Sequence, residues 1–245
     1  MTGHELDRDV RAALRSLAAL NAETVARHLV MAGRLLDTDP NTAYQHAMAA
    51  AQRAGRVALV REAAGLAAYA AGEFEVALRE LRAAARMSGQ HDLLPVMADC
   101  ERGLGRPERA IALAASPEAA RLDRAAQVEM RIVAAGARRD LGQVEAAVVT
   151  LQCRELSSAA DAEWVARLRY AYADALLAAG RRSEAITWFE RAAQADAEGL
   201  TDADERLAEL SGVVFVDLES GEDVADLEAG EDVADLDKPG PDEQS

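Results

Sequence analysis

The chain has 245 residues, half of them hydrophobic but only 4% aromatic, with two cysteines and a formal net charge of -16. Alanine dominates the apolar fraction, and because it is the strongest helix former but buries little area, a core must come from helices packed close together. Cys100 and Cys153 stand far apart without CxxC or histidine pairing, and no apolar run approaches the length of a signal peptide or a span, so neither a disulfide framework, a zinc site nor a membrane segment is suggested and a cytoplasmic location is expected.

In chain order, Leu6, Val10, Leu14 and Leu17 have the spacing of an amphipathic helix, predicted as a cap within residues 1–21. Residues 22–197 carry a repeat. Ala43, Ala77, Ala110, Ala147 and Ala185 are 34, 33, 37 and 38 residues apart. Each follows a break by a few residues, with Gly72, Gly105, Gly142 or Gly180 in four breaks and Asp39-Pro40 in the first, where proline can open a helix. Twelve residues before these alanines lie Met31, Gly65, Ala98, Ala135 and Ala173, mostly small; four residues after them come Ala47, Leu81, Ala114, Leu151 and Phe189. Small residues at both places allow paired helices to approach closely, with one apolar stripe per helix.

The segment Arg169-Leu-Arg-Tyr-Ala-Tyr-Ala-Asp-Ala-Leu-Leu-Ala-Ala-Gly180, followed by Arg-Arg-Ser-Glu-Ala185-Ile-Thr-Trp-Phe189, resembles the tetratricopeptide repeat, as does Gly65-Leu-Ala-Ala-Tyr-Ala-Ala-Gly72-Glu-Phe-Glu-Val-Ala77. The resemblance implies an all-α, right-handed helical-repeat solenoid of five helix-turn-helix units over residues 22–197. It departs from the family pattern where a tryptophan is usual: Arg27, Arg61, Arg131 and Arg169 stand there in four copies and Leu94 in the other. The copies at Gly105 and Gly142 are weak. Ser116-Pro117 should stop one second helix early and widen the joint between residues 115 and 123. Stretches such as Val25-Ala-Arg-His-Leu-Val-Met-Ala-Gly-Arg-Leu-Leu36 are similar to repeat proteins of high-GC bacteria, and that resemblance implies one candidate partner, a haloacid-dehalogenase-type phosphatase.

After the repeats, Thr201-Asp202 can cap a helix with Leu207 and Leu210, predicted as a C-terminal cap over residues 198–212. Seventeen of the forty-three acids lie from Glu198 onward against Arg206 and Lys238, leaving a body with twenty-six acids and twenty-five bases. Residues 213–245 combine a β-prone run, Val213-Val-Phe-Val216, with a duplicated Gly-Glu-Asp-Val-Ala-Asp-Leu at Gly221 and Gly230, and are expected to form a largely disordered acidic tail. Such a charge balance opposes nucleic-acid binding.

No residue pattern makes a catalytic, cofactor or metal site. Gly103-Leu-Gly105 fits a helix C-cap better than a dinucleotide loop. His4, His28, His46 and His91 form no metal spacing, and His28 and His46 belong to two different helices. Carboxylate pairs such as Asp202 and Asp204 sit in polar sequence without an apolar pocket signal. The arginine row Arg27, Arg61, Arg131 and Arg169 reads either as stems lying over alanine-rich packing and pairing with acids such as Glu23 and Glu129, or as a strip for an acidic segment, the tail included. The inner groove implied by the resemblance should show His28, Glu62, Leu66, Tyr69, Asp99, Arg102, Arg139, Tyr170 and Asp174. The expected function is a non-catalytic scaffold or adaptor binding a peptide or partner protein there. The alternative is a regulator binding a small peptide or metabolite, with autoinhibition by the tail, for which Tyr69 and Tyr170 would close a pocket.

Overall fold

The computed structural model describes residues 5–159 and 162–211, and every regular element among them is helical. The Val213-Val-Phe-Val216 run, the duplicated segment and the acidic tail lie outside the described residues. The helices are α1 (Arg8–Leu14), α2 (Ala19–Leu35), α3 (Pro40–Ala54), α4 (Ala58–Ala70), α5 (Phe74–Ser88), α6 (Leu94–Gly103), α7 (Pro107–Ala114), α8 (Arg124–Asp140), α9 (Val144–Leu151), α10 (Glu163–Ala178), α11 (Arg182–Ala193) and α12 (Ala203–Ser211). The described residues up to Leu207 form one compact unit, and of a second unit beginning at Ala208 only the end of α12 is described. None of the described helices is long and apolar enough to cross a membrane.

Short turns join α2 to α3, α4 to α5, α6 to α7, α8 to α9 and α10 to α11, and the two helices of each pair pack together. Each pair then meets the next: α3 lies on α4, α5 on α6, both α6 and α7 on α8, and α8 and α9 on α10. Four of the turns share one mechanism. Gly72, Gly105, Gly142 and Gly180 have φ of 76°, 68°, 72° and 74°, the left-handed region that a Cβ disfavours. The amide following each glycine then donates back to the last turn, from Glu73 to Ala68, Arg106 to Glu101, Gln143 to Arg138 and Arg181 to Leu176, at 2.8–2.9 Å. The carbonyls that a helix end leaves unpaired are thereby satisfied. The first turn instead uses Asp39, whose carboxylate accepts from the Thr42 amide at 3.0 Å ahead of Pro40.

Ala43, Ala77, Ala110, Ala147 and Ala185 all have zero exposure, and Ala98, Ala135 and Ala173 opposite them are at 2% or less. Gly65 shows why small residues are needed there: a Cβ on it would come within 2.6 Å of Leu81 on α5. Two carboxylates enter this apolar interior. Glu80 is met by Arg61 at 2.5 Å and Arg79 at 3.1 Å, and Glu101 by Arg82 at 2.6 Å, so each charge is compensated where it is buried.

Two local expectations shift. Helix α2 starts at Ala19 rather than at residue 22. Thr201 does not cap α12 with its side chain, because its amide and hydroxyl both donate to Asp196, at 2.7 and 2.6 Å. At the weak third copy, α7 has eight residues and ends before Ser116-Pro117; a 3-10 turn at Ala119–Arg121 follows, and an open cleft of about 520 Å³ lies at this joint. Leu122 and Ala119 remain anchored in the core, so the joint widens without breaking it.

Candidate functional site

Of the nine groove residues expected from the sequence, six take part in a succession of polar contacts between helices and three, His28, Glu62 and Leu66, lie apart from it. At the end of α4, the Tyr69 hydroxyl donates to Asp99 Oδ2 of α6 at 2.7 Å. Asp99 Oδ1 accepts from Arg102 Nη1 at 2.8 Å, and the same guanidinium reaches Asp140 of α8 through Nε at 2.8 Å. The neighbouring Arg139 donates to Asp174 of α10, and Arg206 of α12 lies 3.9 Å from that carboxylate. The Tyr170 phenol, also on α10, has Asp202, just ahead of α12, as its neighbouring acceptor. A ladder of alternating donors and acceptors thus crosses four successive helix junctions. Gly136 makes room for it, since a Cβ there would come within 2.5 Å of Arg102 Cζ and push the guanidinium off the α8 backbone.

Electrostatics follow from this arrangement. Burial, reinforced by the Asp99 acceptor, pushes the Tyr69 phenol well above the ordinary range, and burial with Asp202 does the same for Tyr170. Both phenols are neutral donors. Burial works against the Arg102 charge, but hydrogen bonds and attraction from Asp140 and Asp99 outweigh it and raise its pKa. Leu66 packs on the core, and the Glu62 carboxyl is raised by burial and by Asp92.

Arg102, Arg139, Tyr170 and Asp174 line a cleft of about 530 Å³ among α6, α8, α10 and the segment before α12. Arg167 and Leu200 complete it and were not singled out by sequence reasoning. Arg167 is paired with Glu129 at 2.8 Å. Leu200 is 48% exposed, held at the rim by a loop in which Asp196 accepts from the Leu200 and Thr201 amides at 2.7 Å. A regular helical period could not have found Leu200, because it lies in that loop. Tyr69 is outside this cleft, so Tyr69 and Tyr170 do not close one pocket; Tyr69 instead packs against Phe74, with ring centroids 6.1 Å apart.

His28 and His46 lie on different helices, α2 and α3, and the pairing of those helices brings the two Nδ1 atoms to 3.0 Å of each other. Burial first, then His46 and Arg53, depress the His28 pKa. No group of three or more His, Cys, Asp or Glu side chains among the described residues is arranged to hold a metal ion.

The arginine row is divided by its partners. Arg27 pairs with Glu23 on its own helix, and Arg61 binds Glu80 and the Gly55 carbonyl. Arg169 donates to the carbonyls of Leu156, Ser158 and Arg191. Glu129, expected beside this row, is held by Arg167 instead. Among the described residues, the hydrogen-bond partner of Arg131 is the Thr150 carbonyl, at 3.5 Å. The four therefore offer no common row of free cations, because three are engaged by acids or by backbone oxygens. No protein-family model matches the chain, and no curated protein matches it.

Proposed function

We propose that this chain is a tetratricopeptide-type helical-repeat protein that binds a peptide or partner protein along the α4, α6, α8 and α10 face, without catalysis. The observation that supports the reading best is the cleft of about 530 Å³ lined by Arg102, Arg139, Tyr170 and Asp174. Its donors and acceptors come from three successive helices, so an extended ligand lying across them would meet several polar groups at once. Those groups are paired with one another in the free protein. A partner therefore gains specificity by exchanging hydrogen bonds rather than by filling unpaired charges. The exposed Leu200 rim would add an apolar contact.

A second reading, a regulator that takes a small peptide or metabolite, is favoured by the size of the same cleft, which falls within the range of small-molecule sites, about 300–1,000 Å³.

Quantitative capture from the source cell's extract, using the full chain and its variants, tests the first reading. Tyr170→Ala and Arg139→Glu should each lose a partner that Glu190→Lys, an exposed change on α11, retains. Equal recovery with all variants would overturn the groove as the binding face. Thermal stabilisation by small ligands, lost in Tyr170→Ala, would select the second reading.

A further inference from the structure

The cleft at the joint between α7 and α8 has a composition unlike the groove. It is lined by Ile111, Met130, Ala134, Arg131, Arg138 and Thr150 among others, and by no Asp or Glu among the described residues. Its existence follows from the sequence. Ser116-Pro117 ends α7 after eight residues, where α5 runs for fifteen, so the flank of α8 that further helical turns would cover stays open.

On α8, positions 127, 130, 131, 134 and 138 face this cleft, whereas 132, 135, 136 and 139 face the groove cleft. At about 100° per residue these are two separate stripes of one helix. The rim is already shaped: Ser116 Oγ accepts from the Ala119 amide at 3.3 Å, and the Gln127 side chain donates to the Leu122 carbonyl at 2.8 Å.

Arg131 and Arg138 are the polar anchors. Seven residues apart, they share a face and stand about 10 Å apart along the axis. Arg131 Nη1 has a contact of 3.5 Å to the Thr150 carbonyl, and Arg138 Nη1 one of 3.5 Å to Gln143 Oε1. Both are at the long limit of a hydrogen bond. Arg138 Nε is buried without a partner, and no carboxylate among the described residues forms an ion pair with either arginine. In a chain with sixteen excess negative charges, two such cations over an apolar floor form a surface complementary to acids.

We infer that this cleft is a second binding site, for an acidic peptide segment of a partner protein with two carboxylates spaced to meet Arg131 and Arg138 and an apolar residue between them. A small oxyanion engages only one guanidinium and leaves Ile111 and Ala114 against water. A peptide segment satisfies both ends and covers the floor. The inference does not rest on the groove reading, because the two sites use different stripes of α8.

The test is fluorescence anisotropy with the full chain and a labelled peptide, Gly-Glu-Leu-Val-Glu-Gly, against its glutamine counterpart. The glutamine peptide should bind about a hundredfold more weakly, as should the glutamate peptide to Arg131→Glu/Arg138→Glu, because two ion pairs are lost and each amounts to roughly a factor of ten. Ala114→Leu, which fills the cleft wall and leaves both arginines in place, should also weaken binding, whereas Tyr170→Ala and Arg139→Glu should leave it unchanged. Circular dichroism checks that each variant is folded. Equal binding of the two peptides overturns the inference, as does retention by the folded double variant. Displacement of the peptide by inorganic phosphate at equal charge, or tighter binding of a single-stranded RNA oligonucleotide, overturns it in favour of a plain anion site.

Discussion

Helices α2 to α5 have 17, 15, 13 and 15 residues, whereas α6, α7 and α9 have 10, 8 and 8. In the first region the apolar stripes are covered along the pairs: Ala47, Ala50, Ala64 and Ala67 are all at 1% exposure or less. In the second, Ala110 is equally buried, but Ala114, one turn later, lines an open cleft. The buried carboxylates differ in the same sense. Glu80 has both oxygens engaged, while Glu101 has one, its Oε2 having no hydrogen-bond partner and Arg106 only at 3.7 Å. The same alanine-based pairing seals a surface where the second helix is long and exposes one where it is cut short.

The contrast is most easily broken by adding bulk. Ala77→Leu, in the sealed region, forces a larger side chain into a filled space and should cost about 3 kcal/mol, while Ala114→Leu should stay within about 0.5 kcal/mol because the cleft accepts it. Urea denaturation measures both; equal losses would mean that the two regions are packed alike.

A smaller effect sharpens the comparison of charges. Glu80→Gln removes the charge that Arg61 and Arg79 share and should cost about 2 kcal/mol, a figure kept low because both arginines reach solvent. Glu101→Gln should cost about half of that, since one oxygen already lacks a hydrogen bond. The reverse order in denaturant midpoints would contradict the pairing described.

The weakest effect concerns acid. The folded pKa of His28 is held below its ordinary value of 6.5, so protonation favours the unfolded chain. The stabilisation is complete above pH 6.5 and is lost as pH falls through the lower folded value. The urea midpoint should therefore drop between pH 7 and pH 5, and His28→Asn should flatten that drop; an unchanged slope would remove His28 as its source.

The fold class was legible because helical pairing leaves a local mark. Glycine breaks and alanine spacing marked the turns and contact positions, since the left-handed turn and the close approach each restrict one residue type. Ser116-Pro117 announced the short α7 for the same local reason. The site was legible in part: Arg102, Arg139, Tyr170 and Asp174, which the repeat register assigns to the first helices of successive pairs, line one cleft. Arg138, Arg167, Leu200 and Gly136 were missed, since nothing in their local pattern distinguishes them from other surface residues.

What the amino-acid order determined by itself is where helices begin and end and which small residues lie between them, because those depend on neighbours within a few positions. Which acid meets which arginine was decided only by the tertiary structure. Arg61 reaches Glu80 within the α4–α5 pair and Arg139 reaches Asp174 of the next pair, Arg27 stays with Glu23 on its own helix, and Arg131 and Arg138 are left over an open cleft. Long charged side chains select partners by the relative height and rotation of packed helices, a geometry that no local spacing encodes.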